Sequence, residues 1–226
     1  MDIKKYLTLL FCLTLTACSS GAQNKETQTP ISMDSEIVTL VAPQETGATL
    51  LDAMKQRASV REYAGKELTL EQLSGILWAA AGQNRPDGKQ TTPSAMGLYP
   101  IKVYAILPNG IYLYSSKEHK LTLVKEGDHR QMAGTQDFVY TAPLNIMYVT
   151  DLERFNERPY YPTEEERLFV SALDAGHYSQ SVALWAAANG MGSVPRGWTN
   201  GEKFLEAIDA PESYRAVLAQ TIGVLK

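Results

Sequence analysis

The sequence predicts an α+β fold. Three observations carry the prediction: segments with helical apolar spacing that open on capping signatures, short apolar runs separated by turn residues, and the absence of any internal repeat.

In chain order, Thr49 with Asp52 three residues on opens a first helix, with Leu50, Leu51 and Met54 as its apolar side. Thr69 with Gln72 opens a second. Its Leu70, Leu73, Ile76, Leu77 and Ala80 recur at helical spacing up to Gly82 and mark it as core. Residues 84–92 are polar and carry Pro86 and Gly88, so they form a loop. Residues 101–107 and 111–114 read as a hairpin around Pro108-Asn109-Gly110, with residues 120–124 extending it. Residues 144–149 are apolar except for Asn145, the pattern of a strand covered on both faces. Thr163 with Glu166 opens the longest helix and sets Glu164, Glu165 and Glu166 on the positive end of its dipole. It is expected to run to Asn189, with Gly190 as its cap. Its second half, residues 172–188, is rich in Ala, Ser and Gly, which predicts a buried central helix that neighbours approach closely. Residues 216–225 read as a last strand.

A chain of 226 residues that is 44% hydrophobic and 20% charged has enough apolar material for one sizeable domain. Its net charge of −4, without basic runs interleaved with aromatics, argues against a nucleic-acid partner. The N-terminus reads as an export signal over residues 1–17: Lys4 and Lys5 are the basic region, and Leu7 to Leu15 the apolar stretch. That stretch is shorter than the ~20 residues of a bilayer span. Leu15-Thr16-Ala17-Cys18 resembles the lipobox of bacterial lipoproteins, which implies lipidation at Cys18 and an outer-membrane, periplasm-facing address in the cell envelope. Residues 18–46, rich in Ser, Thr, Gln, Glu, Ala and Pro, read as a lipid-anchored linker. Within it Val38 to Val41 is a short apolar exception that fits either a sheet edge or sticky linker, and the linker is preferred. Residues 47–226 form the folded domain. Cys12 falls inside the signal, so the exported domain has no internal disulfide.

Three stretches could carry chemistry. Arg57, Ser59 and Arg61 alternate, so in extended chain they share one face and offer two guanidinium forks and a hydroxyl to a dianion. The competing reading is a surface ion-pair strip with Glu62. Residues 92–100 bracket small side chains between Pro93 and Pro100, which suits close approach of a flat ligand or, equally, a rigid turn. Residues 189–198 leave the long helix through Gly190, Gly192 and Gly197. Asp174 and His177 stand three apart on that helix and read chiefly as structural. Only His119, His129 and His177 are present, so metal-ligand spacing is missing, and no nucleophile elbow appears. Tyr160, Tyr161 and Trp198 could line a pocket for a flat substrate.

In this order and spacing the three stretches resemble the FMN-dependent nitroreductase family, over residues 49–226. Leu77-Trp78-Ala79-Ala80-Ala81-Gly82, Pro93 to Pro100 and Gly110-Ile111-Tyr112-Leu113-Tyr114 resemble the subgroup of azoline dehydrogenases. The resemblance implies a nitroreductase-like fold, a mostly antiparallel sheet with helices around a long buried one, in a homodimer with flavin at the subunit interface. It implies FMN phosphate on Arg57, Ser59 and Arg61, and the isoalloxazine along Pro93, Ser94 and Ala95. Backbone donors at Arg196 and Gly197 would then stand near flavin N5 and O4. The implied activity is hydride transfer between NAD(P)H, or an organic donor, and an electron-poor small-molecule acceptor, with no catalytic side chain assigned because the flavin carries the chemistry. Two departures stand out. Gly97 occupies a position where many members have asparagine, and their basic C-terminal continuation is represented by Lys226 alone. The alternative is a non-catalytic lipoprotein that keeps the scaffold to bind a ligand or partner.

Overall fold

A computed structural model of the chain describes residues 36–45, 47–158 and 160–226. Residues 1–17, read as an export signal, and Cys18 lie outside them. The elements follow in the order β1 (Ile37–Thr39), α1 (Leu50–Gln56), α2 (Leu70–Ala81), β2 (Ile101–Leu107), β3 (Gly110–Ser115), β4 (Lys120–Glu126), α3 (Asp137–Thr141), β5 (Leu144–Asp151), α4 (Glu164–Ala188), β6 (Met191–Arg196), α5 (Gly201–Ala207) and β7 (Tyr214–Val224).

All three predicted capping boxes form. The hydroxyls of Thr49, Thr69 and Thr163 accept the N–H of Asp52, Gln72 and Glu166, and those side chains accept the cap N–H in return. Each satisfies two backbone donors that a helix start otherwise leaves to water.

The strands make one seven-stranded sheet in the order β1-β4-β3-β2-β5-β7-β6, antiparallel at every pair. Strand alternation divides the core between its two faces. Val103, Ala105, Leu144, Ile146 and Tyr148 meet Leu73, Ile76 and Leu77 of α2 and Tyr178, Val182 and Ala186 of α4. Tyr104, Ile106, Met147 and Val149 meet Val139 of α3 and Phe204 of α5 on the other face. β5 is buried from Leu144 to Thr150, so its continuous apolar run reflects cover on both sides.

Four expectations need correction. Residues 38–41 are not mere linker: β1 pairs with β4 through Ile37–Thr122 to Thr39–Lys120, so the folded part begins before residue 47. The apolar side of α1 does not enter the core. Leu50, Leu51 and Met54 are exposed, and within α1 only Ala53 is buried. α4 is buried along one side only, since Phe169, Ala172, Leu173, Gly176, His177 and Gln180 face solvent in the single chain. The glycine connection after α4 is a strand, β6, which pairs with β7 from Met191–Val224 to Arg196–Ala219.

Candidate functional site

The candidate clamp is laid onto the β6 edge of the sheet by its main chain. Arg57 caps the C-terminal end of α1, its N–H donating to the Ala53 carbonyl at 2.9 Å. Ser59 then forms a parallel bridge with Ser193 of β6, and the Val60 N–H donates to the Ser193 carbonyl at 3.1 Å. Tyr63 Oη donates to the Val60 carbonyl at 2.7 Å and lies 3.3 Å from that of Thr221, and the Ala64 N–H reaches the Val224 carbonyl at 2.9 Å. Gly192 makes the docking close, because a Cβ there would stand 2.6 Å from Val60 Cβ.

This strapping spends backbone groups and leaves the candidate side chains outward. Ser59 and Arg61 are exposed and Arg57 is half-buried. Among the described residues neither arginine makes an ion pair. Glu62, on which the ion-pair reading depended, is held instead by Lys226 Nζ at 3.1 Å. Two unpaired guanidinium groups and a hydroxyl on one short rigid segment suit an anion with several oxygens.

The second segment, residues 93–99, packs on α4. Ser94 Oγ donates to Asp174 Oδ2 at 2.6 Å and accepts the Tyr99 N–H at 2.9 Å. The Ala95 N–H reaches both carboxylate oxygens of Asp174, at 3.1 and 3.3 Å. Met96, Gly97 and Tyr99 all have left-handed backbone, with φ of 54°, 66° and 47°. Glycine takes that conformation without steric cost, and asparagine is among the side chains that best tolerate it. An asparagine at position 97 would therefore fit the backbone that Gly97 adopts. Pro93, Met96 and Gly97 are exposed, whereas Leu98 is buried among Leu152, Phe155 and Val170.

Asp174 is buried, which pushes its carboxyl up, while the bonds to Ser94 and Ala95 and the nearby His177 pull it back. His177 is exposed. The carboxylate thus spends its oxygens on the 93–99 turn, and its role was invisible in sequence because Ser94 stands 80 positions away.

The Arg196 side chain turns inward: Nη1 donates to the Ala133 carbonyl at 2.8 Å and Nη2 to Thr221 Oγ1 at 2.6 Å, and the guanidinium lies 5.6 Å from the Phe138 ring centre. Burial lowers its pKa to about 10. Thr221 Oγ1 in turn donates to Asn145 Oδ1 at 2.5 Å, and Asn145 Nδ2 to the Val139 carbonyl at 2.9 Å. Asn145, the one residue that interrupts the apolar run 144–149, was the sequence signal for this cluster. Arg196 Nε is buried without a hydrogen-bond partner among the described residues, and a side chain at Gly197 would meet open space. Tyr160 and Trp198 are strongly exposed, while Tyr161 packs edge-on to Phe155 at 5.8 Å. Grooves beside α5 and β7, and between Pro43, Trp78, Pro86 and His119, are lined by none of the predicted site residues.

The nitroreductase family model matches residues 54–224. A protein of Methanocaldococcus jannaschii, provisionally named a nitroreductase, is 32% identical over 158 residues, covering 66% of this chain and 78% of its own. A crystal structure from Ralstonia eutropha, provisionally named in the same way, superposes with a TM-score of 0.79 at 37% identity, over 88% of this chain and 94% of that one. The NADPH:FMN oxidoreductase of Vibrio harveyi, solved with NAD+, shares the fold at 19% identity, with a TM-score of 0.57 over 78% of this chain and 69% of its own. Proteins of this family are generally flavin-dependent oxidoreductases that use NAD(P)H, and they are often dimers. The chain belongs to the nitroreductase family.

Proposed function

We propose that this protein is an FMN-dependent oxidoreductase that passes hydride from NAD(P)H, or from an organic donor, to an electron-poor small molecule. The observation that carries the reading is the clamp: Arg57 and Arg61 are free of ion pairs among the described residues and are presented from a segment fixed on β6. Bound flavin supplies the hydride exchange. The chain's own residues bind and orient it. Arg57, Ser59 and Arg61 hold the phosphate, and the turn at Pro93, Ser94 and Ala95 offers the ring a flat, small-residue surface. Main-chain N–H groups at Arg196 and Gly197 stabilise negative charge that develops on the ring during reduction. The likeness of residues 77–82, 93–100 and 110–114 to azoline dehydrogenases supports a heterocyclic organic compound as the donor.

The working unit is a homodimer. Exposed Leu50, Leu51 and Met54 of α1 and Phe169 and Leu173 of α4, two helices that pack on each other, make apolar faces that a second copy would cover. Cys18 carries the lipid that holds the dimer at the outer membrane, facing the periplasm. Mass spectrometry of membrane-extracted protein should find Cys18 acylated and N-terminal, and an unmodified chain would remove the anchor.

FMN titration of the purified protein tests the central claim. A yellow sample, or tight FMN uptake followed by bleaching with NAD(P)H, is expected. A folded, colourless dimer that ignores added FMN would instead favour the ligand- or partner-binding module.

A further inference from the structure

We infer that Asp174 is a positioning residue, which fixes the 93–99 turn in the shape that receives the flavin ring. The inference rests on the reading that Pro93, Ser94 and Ala95 lie along the flavin.

The turn is unusual in needing three left-handed residues out of four, at Met96, Gly97 and Tyr99. Two of these carry side chains, so the conformation is costly on its own and persists only where surrounding contacts determine it. Its C-terminal end is plugged into the core by Leu98, whose carbonyl also accepts from Arg154 Nη2 at 3.0 Å. Its N-terminal end, where Pro93, Ser94 and Ala95 stand, is tied to the helix layer by the Asp174 carboxylate through Ser94 Oγ and the Ala95 N–H. The same Ser94 Oγ accepts the Tyr99 N–H and so closes the turn across its mouth.

One buried carboxylate therefore holds the end that carries Ser94 and Ala95 and, through Ser94 Oγ, is linked to Tyr99. Among the described residues no hydrogen bond links Asp174 to His177, so an acid/base pairing between them has no support in the geometry. Asp174 does not face solvent, which suits a residue acting on the flavin only through Ser94 and Ala95.

The test compares full-length wild type, Asp174→Ala, Asp174→Asn and Ser94→Ala. Hydrogen exchange of residues 94–99 in the FMN-free protein reads the turn, FMN titration reads the site, and thermal melting checks the fold. Asp174→Ala should speed exchange at Ala95 and Tyr99 and weaken FMN binding by about tenfold or more, the effect of losing charge-assisted hydrogen bonds. Asp174→Asn keeps an acceptor oxygen and should recover part of both. Ser94→Ala removes the hydroxyl bond from the turn side and leaves the Ala95 N–H on Asp174, so adding Asp174→Ala to it should weaken FMN binding further, but by less than Asp174→Ala does in wild type. If Asp174→Ala fails to fold, Asp174→Asn decides in its place, read by exchange at Ala95 and by FMN affinity. The inference is overturned if the turn loosens while FMN affinity stays at the wild-type value, or if exchange at the turn is unchanged. Wild type that takes up no FMN overturns both the inference and the flavin reading, whereas the previous two outcomes leave the flavin reading standing.

Discussion

Residues 57–64 are laid against β6 and β7 largely through their main chain, whereas the N-terminal end of the 93–99 turn is held by one α4 side chain acting across 80 positions and its C-terminal end by Leu98 in the core. The first arrangement frees side chains, so a segment fixed this way is suited to grasp charge. The second spends a side chain and presents a smooth face of Pro93, Met96 and Gly97, which is suited to stacking. A ligand with a phosphate at one end and a planar ring at the other needs one of each. The difference also bears on robustness: backbone strapping survives most substitutions along it, while a side-chain tie fails with one.

The sharpest way to break the comparison is at the grasping side chains. Arg57→Ala should lower FMN affinity by about one to two decades, because a charge-assisted contact contributes roughly 1.5–3 kcal/mol. The melting temperature should stay near wild type, since Arg57 is tied into the fold through its N–H and fills no core. Arg57→Lys should fall between the two, as an ammonium lacks the two-pronged fork. Fluorescence titration with FMN, paired with circular dichroism, reads both quantities, and unchanged affinity in folded Arg57→Ala would remove the phosphate role.

Next in size is the strapping itself. Gly192→Ala sets a Cβ 2.6 Å from Val60 Cβ, so β6 and the clamp segment must separate. Overpacking of this kind costs typically 1–3 kcal/mol. Both chemical stability and FMN affinity should drop, in contrast to Arg57→Ala, which moves affinity alone. Denaturant melts alongside FMN titration separate the two patterns.

A smaller effect is expected at the turn. Gly97→Val forces a branched side chain into φ of 66°, at a cost of roughly 1–2 kcal/mol. Gly97→Asn should be nearly neutral because asparagine tolerates that region, and its Cβ would meet nothing within 4 Å. If Val and Asn variants melt and bind FMN alike, backbone conformation is not what residue 97 supplies.

Much of this was legible in sequence where the signal is local. The three capping boxes, the 101–115 hairpin and the doubly covered β5 each depend on residues within a few positions of one another, and each formed. What failed was non-local. β6 carries Gly192 and Pro195 and reads as a turn, yet a place beside β7 makes it a strand. β1 is only three residues long and gains its identity from β4, 81 or more positions downstream. The small residues of α4 suggested burial on all sides, but the monomer packs only one side and leaves Phe169 and Leu173 to solvent. In the candidate site the alternation of Arg57, Ser59 and Arg61 was visible at once. The anchoring by Asp174 and the inward turn of Arg196 were not, because their partners come from other elements.

The smallest expected effect concerns Glu62, and it sharpens the comparison by testing the charge around the clamp. Glu62 pairs with Lys226 at 3.1 Å, and both side chains are well exposed. Exposed pairs contribute about 0–1 kcal/mol, so Glu62→Ala should leave the melting temperature almost unchanged. Its effect on FMN should be slight and upward. Removing the carboxylate frees Lys226 and takes a negative charge from the segment that carries Arg57 and Arg61, which strengthens the local attraction for a dianion. That attraction is long-range and screened, so the gain should appear at low ionic strength and vanish near physiological salt, where the Debye length is about 8 Å. Titrations of Glu62→Ala and wild type at two salt concentrations read this directly. Weaker FMN binding in Glu62→Ala would mean that the acidic side chain orients the clamp, and the division between main-chain strapping and free side chains would no longer hold.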